Sequence, residues 1–294
     1  MASSLIKRLA ALFGASCTAL LLAVPAAAPG HADRAVLESP AAGCSTTPVT
    51  EKVNIGAPDD PRYYRIHVPA GISAAGAPLV VAIHGGYDRP EGFEAVSGWN
   101  ALADQNKFIV AYPRGFKPEN KPDGTPGWGW NADADDVAHI ESVVAAVSAK
   151  YCVAPKRIHL TGHSNGGQMA SRAACTNPNL FASGAVYAPA PPPTGCDPSR
   201  AVSWGVFASA NDATVIEPVA YGHVMYWSWE NRPCQNEQPG GGTDIKDSRH
   251  WDCASGTEVL WRVYNGGSHY WPTGARRTEM MNRMWQLFQA NPRP

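Results

Sequence analysis

One seven-residue stretch, Thr161-Gly162-His163-Ser164-Asn165-Gly166-Gly167, constrains this chain more than any other. Before it runs Lys156-Arg157-Ile158-His159-Leu160, whose apolar and β-branched content reads as a short strand over 158–161. After it, Gln168-Met169-Ala170-Ser171-Arg172-Ala173-Ala174 suits a helix. A chain turning that sharply from strand to helix brings neighbouring backbones too close for Cβ atoms, so glycines are needed beside the bend. Gly162-x-Ser164-x-Gly166 in this setting is the nucleophile-elbow pattern, with Ser164 strained and its Oγ presented at the positive end of a helix. The chain has 28 glycines, so the pattern alone can arise by chance. The strand before it, the helix after it and the partner residues below give it weight.

The remaining segments alternate in type. Residues 63–68 alternate apolar and polar as a strand does. Residues 78–83 and 108–112 are continuous apolar runs, as expected of strands buried on both faces, the second stopped by Pro113. Residues 136–150 place Val137, Ile140, Val143, Val144 and Val147 on one helical face, with Asp135 as the expected cap. Strands follow at 184–188 and 204–208, a helix near 217–229, a strand at 259–264 and a helix at 276–289. This order predicts an α/β fold, a mostly parallel, doubly wound sheet covered on both faces, with its ligand site at the carboxyl ends of the strands.

Residues 1–32 read as a signal peptide: Lys7 and Arg8, then an apolar run, then small residues ending in Ala28, Gly30 and Ala32. Residues 33–294 are then one catalytic domain, large enough for a substantial core. Loss of Lys7 and Arg8 takes the formal charge from −1 to −3. With no basic cluster, nucleic acid is not an expected partner. No later stretch is apolar enough to span a bilayer, so no stable membrane association is expected. Six cysteines remain, an even number in an exported chain, which points to disulfides among 15 pairings. We favour Cys234–Cys253, which closes a glycine-rich insert, and Cys175–Cys196, leaving Cys44–Cys152. A metal site is not expected, for want of a Cys-x-x-Cys pair. The acids Asp133, Asp135 and Asp136 lack the spacing of a calcium loop and read as helix-capping residues.

A serine hydroxyl needs a base to activate it, and the base needs an acid to orient it. His269 follows the last predicted strand, in Gly266-Gly267-Ser268-His269-Tyr270-Trp271, and Asp212 follows the strand at 204–208. The chain order Ser164, Asp212, His269 is that of α/β-hydrolases. His84, His163, His223 and His250 read as packing or surface histidines. The tetrahedral intermediate of acyl transfer needs preorganised N–H donors. Asn165, directly after the serine, and Gly86, in His84-Gly85-Gly86-Tyr87, are the expected donors, with Tyr87 as the alternative to Gly86. Tyr87, Trp130 and Trp271 fall in loops at the presumed active edge, with Trp128 nearby. They are expected to contact substrate, with plain packing as the competing reading.

Three stretches together resemble a known family. They are Ile83-His84-Gly85-Gly86 with Gly98-Trp99-Asn100-Ala101-Leu102-Ala103-Asp104; Tyr151-Cys152-Val153-Ala154-Pro155-Lys156-Arg157 running into the elbow; and Gly267-Ser268-His269-Tyr270-Trp271-Pro272. Trp130-Asn131 with Asp135-Asp136-Val137 adds to the likeness. They look like secreted esterases grouped with polyhydroxybutyrate depolymerases and feruloyl or acetyl-xylan esterases. The resemblance departs at Ser268, where members often have glycine, and at Gly86, where they often have cysteine or another residue. It implies an α/β-hydrolase fold, hydrolysis of carboxylic esters, the same three catalytic residues and a Cys234–Cys253 clip. From this we expect a secreted, cofactor-free monomer that forms an acyl-enzyme with a polymeric or small ester. A peptidase or acyltransferase on the same scaffold, or a non-catalytic binding protein, are the alternatives.

Overall fold

Apolar runs with no polar interruption become the middle of one sheet. The computed structural model describes residues 39–56, 62–235 and 240–294, so the signal peptide expected at 1–32 lies outside the described residues. Its strands are β1 (Val49–Asn54), β2 (Tyr63–Val68), β3 (Ala77–Ile83), β4 (Ile109–Pro113), β5 (Lys117–Pro118), β6 (Trp128–Gly129), β7 (Val153–His163), β8 (Ser183–Tyr187), β9 (Ser203–Ser209), β10 (Cys234–Gln235), β11 (Gly240–Gly242), β12 (Ile245–Cys253) and β13 (Glu258–Tyr264). The helices are α1 (Pro90–Ser97), α2 (Trp99–Asn106), α3 (Ala134–Lys150), α4 (Asn165–Thr176), α5 (Glu217–Glu230) and α6 (Gly274–Ala290).

Among the described residues the large sheet runs β1-β2-β4-β3-β7-β8-β9-β13-β12-β10, with β11 beside β12; β5 and β6 form a separate hairpin. The neighbours from β4 through β13 are parallel, and both flanks are antiparallel. Every residue of β3, β4, β8 and β9 is buried, whereas β1 alternates half-buried and exposed. Helices cover both faces of the parallel centre, and only the flanks meet water on one side.

Successive side chains of one strand feed opposite cores. Leu79, Val81 and Ile83 join the core under α3, α4 and α5, and Val80 and Ala82 join the core under α1, α2 and α6. The first core holds the stacked pair Trp204–Trp227, and the second the stacked pair Phe108–Trp285. The valine and isoleucine face expected on α3 is buried at all five positions. Its cap differs from expectation. Asp133, not Asp135, accepts the N–H groups of Asp135 and Asp136, because the helix already begins at Ala134. The structure also contains α1, α2, β1 and the strands of the 234–253 insert, all too short or too polar to stand out by periodicity.

The three disulfides are Cys44–Cys152, Cys175–Cys196 and Cys234–Cys253, as favoured. Cys44–Cys152 sits beside a bridge between Ser45 and Tyr151 and anchors the N-terminal segment where β7 begins. Cys175–Cys196 ties the end of α4 to the loop after β8. Cys234 and Cys253 face each other directly across the β10–β12 ladder.

Candidate active site

At the end of β7, Ser164 takes φ 53 and ψ −121, a conformation that a side-chain-bearing residue adopts only when its surroundings force it. The glycines permit that. A Cβ on Gly162 would lie 2.4 Å from the Gly166 oxygen, and one on Gly166 would lie 2.2 Å from the His84 oxygen. The Ser164 N–H donates to Tyr187 O at 3.1 Å, and Ser164 O accepts the N–H groups of Gly167, Gln168 and Ala190. The backbone is therefore fixed from β8, from α4 and from the proline-rich loop after β8.

Three side chains from separate loops meet here. His269 Nε2 lies 2.8 Å from Ser164 Oγ, and His269 Nδ1 lies 2.8 Å from Asp212 Oδ2. Because β9 and β13 are parallel neighbours, the loops that follow them emerge side by side. The Asp212 side chain is fully buried; its Oδ1 accepts the N–H groups of Thr214 and Val215, each at 2.8 Å. One carboxylate oxygen thus shapes its own loop while the other faces the imidazole.

His163, expected to be a packing or surface histidine, touches the same group. Its Nε2 lies 2.6 Å from the carbonyl oxygen of His269, and the two rings are 4.9 Å apart. Burial, together with the charge His269 can carry, pushes the His163 imidazole down to about 4. At neutral pH it is uncharged and donates Nε2–H to that carbonyl. His223, likewise pushed down to about 4 by burial, donates to Ala190 O at 2.6 Å and so steadies the loop bonded to Ser164 O.

The loop His84 to Tyr87 lies against the elbow, since a Cβ on Gly85 would sit 3.5 Å from Ser164 Cβ. The β5–β6 hairpin holds this loop. His84 Nδ1 lies 2.8 Å from Gly85 O, and its Nε2 accepts the Gly115 N–H at 3.0 Å. Burial pushes this imidazole down to about 4 as well. Asp88 and Trp128 exchange two backbone hydrogen bonds. The Asn165 side chain accepts the Trp130 N–H at 2.6 Å and donates to Trp130 O at 3.0 Å. The Tyr87 N–H donates to Glu119 Oε2 at 3.2 Å. The N–H groups of Gly86 and Asn165 have no acceptor among the described residues.

The aromatic shelf expected from Tyr87, Trp130 and Trp271 is largely inside the protein. Trp130 is 1% exposed, and its indole N–H donates to His84 O at 2.9 Å. Trp271 is 7% exposed, donates to Ser97 O at 3.0 Å, and packs edge-on against Phe93 and Tyr187. Both indoles bury their rings and give their N–H to an orphan carbonyl, so they pack. Tyr87 remains at the surface, 55% exposed, joined by Tyr270 at 82%. Adjacency to His269 is the sequence signal that would have singled out Tyr270. A cavity of about 310 Å³ lies beside the His269 loop, lined by Tyr187, Ser209, Ser268, Trp271 and Arg276 among others. Neither Ser164 nor His269 lines it. No group of side chains suited to a metal ion occurs among the described residues.

A serine on a strand-to-helix elbow, with an acid and a histidine on loops after neighbouring strands of a mostly parallel sheet, defines an α/β-hydrolase fold. Residues 62–190 match the family described as esterase PHB depolymerase. The chain is 35% identical over 131 residues to poly(3-hydroxyalkanoate) depolymerase C of Paucimonas lemoignei, a match covering 42% of this chain and 30% of that protein. It is 30% identical over 215 residues to acetylxylan esterase A of Aspergillus oryzae, covering 71% of this chain and 57% of that one. The chain thus spans less than two thirds of both relatives. In fold it resembles the acetyl xylan esterase from Aspergillus awamori, with a TM-score of 0.61 at 16% identity, over 82% of this chain and 99% of that one.

Proposed function

We propose that this protein is a secreted serine esterase that cleaves carboxylic esters through an acyl-enzyme. The observation that carries the reading is the pair of 2.8 Å contacts joining Ser164 Oγ, the His269 imidazole and Asp212. With its proton on Nδ1, His269 donates to Asp212 and offers the Nε2 lone pair to the Ser164 hydroxyl. Ser164 Oγ attacks the ester carbonyl while His269 takes the hydroxyl proton, and Asp212 stabilises the imidazolium that forms. The N–H groups of Gly86 and Asn165 receive the oxyanion. His269 then returns the proton to the departing alcohol. In the second half it takes a proton from water, which attacks the acyl carbonyl and frees Ser164.

The substrate class is a polyester of the hydroxyalkanoate kind or an acetyl or feruloyl plant ester. The depolymerase and acetylxylan esterase likenesses favour these over amides. Three disulfides suit an oxidising compartment outside the cell. The test is hydrolysis of a short p-nitrophenyl ester by wild type and Ser164→Ala. The variant should lose at least about a thousand-fold in kcat. Equal rates in the two proteins refute the reading. Hydroxybutyrate polymer, methyl ferulate and acetylated xylan, assayed side by side, then assign the substrate.

A further inference from the structure

Glu119 puts a carboxylate beside the backbone that, in the function proposed above, receives developing negative charge. A like charge there opposes the reaction unless it has another use. Lys117 Nζ lies 2.6 Å from Glu119 Oε1 and offsets the charge, while Glu119 Oε2 accepts the Tyr87 N–H at 3.2 Å. The side chain is 15% exposed and sits in a space made by missing side chains. A Cβ on Gly86 would lie 2.7 Å from Glu119 Oε2, and one on Gly129 would lie 2.5 Å from the same atom. A Cβ on Gly127 would lie 2.7 Å from the Glu119 backbone oxygen and 2.6 Å from that of Tyr87. Three glycines from two segments thus make room for one glutamate. What this glutamate holds is unfavourable on its own, since Tyr87 has φ 61, a left-handed conformation that tyrosine rarely adopts.

We propose that Glu119 is a positioning residue for the oxyanion loop. By accepting the Tyr87 N–H it locks the left-handed turn after Gly86, so that the Gly86 N–H, not that of Tyr87, serves the substrate oxygen. The inference rests on the esterase reading. The hole then has two backbone donors, Gly86 and Asn165, and the glutamate acts through the loop without touching substrate.

The test measures kcat, KM and Tm on a short p-nitrophenyl ester for wild type, E119A, E119Q and E119D. E119A should lower kcat about tenfold or more with KM within about threefold, a fraction of the loss seen when an oxyanion donor is removed outright. E119Q keeps an oxygen for the Tyr87 N–H and should stay within about threefold of wild type in kcat. E119D keeps the charge but withdraws the acceptor, so it should behave as E119A does and carries the test if E119A does not fold. Wild-type kcat in E119A or E119D, a loss confined to KM, or E119Q as slow as E119A would overturn the proposal. A wild type that cannot cleave the ester removes the esterase reading and this inference with it. An active wild type matched by E119A removes only the inference.

Discussion

The two sides of Ser164 are held in different ways. On one side, His269 and Asp212 hang on loops after β13 and β9 and are fixed by a few side-chain contacts, with Asp212 Oδ1 and His163 as their supports. On the other, the His84 to Tyr87 loop is held at several points, by the paired backbones of Asp88 and Trp128, the Gly115 N–H on His84, the Trp130 indole on His84 O and Glu119 on the Tyr87 N–H. Groups that shuttle a proton need a precise partner and little else, whereas fixed N–H dipoles need a rigid frame. Damage to the first side should therefore appear almost wholly as lost rate, and damage to the buried frame of the second as lost stability as well.

The largest departure that tests this contrast is Asp212→Asn. Esterase kcat should fall by about 10³–10⁴, because the amide favours the wrong imidazole tautomer. Tm should change little by comparison. A large Tm fall with a modest rate loss would reverse the contrast. Next is His163→Phe, which keeps a ring in place but removes the donor to His269 O. We expect kcat down about tenfold at constant KM, with His163→Gln restoring part of it; a KM effect alone would assign His163 to packing. On the other side, Trp130→Phe leaves His84 O unpaired in a buried setting. It should cost about 1–3 kcal/mol in thermal or urea unfolding, with a smaller fractional effect on kcat.

A separate effect is acid sensitivity. His84, His163 and His223 are each pushed down to about 4 by burial, against an ordinary value of 6.5. Their unfolded forms bind protons between those pH values while the folded forms do not. Stability is therefore full above about pH 6.5 and declines as pH falls toward 4. His163→Phe should show a shallower decline than wild type in urea titrations over that window. An identical slope would mean that His163 does not titrate as described.

Much of this was legible in the chain, for reasons that differ by region. The continuous runs at 78–83 and 108–112 read as strands buried on both faces, and they coincide with β3 and β4. The elbow glycines marked a turn too tight for Cβ atoms, which the contacts at Gly162 and Gly166 match. The indoles of Trp130 and Trp271 misled because residue type in a loop says nothing about which way a ring turns. Both turned inward, where each N–H satisfies a carbonyl. Asp135 is the cap the sequence suggests, but α3 begins at Ala134, which gives that place to Asp133. Glu119 was beyond reach: it lies 32 positions from Tyr87, in a hairpin whose strands are two residues long.

The close approach of Gly166 to the ends of Ile83 and His84 has an engineering consequence. A Cβ there would meet both carbonyl oxygens, at 2.4 and 2.2 Å, so the start of α4 and the tip of β3 slide only as one piece. Transplanting this site into another scaffold would require carrying both segments together, because a donor helix moved alone would drag its seat out of true.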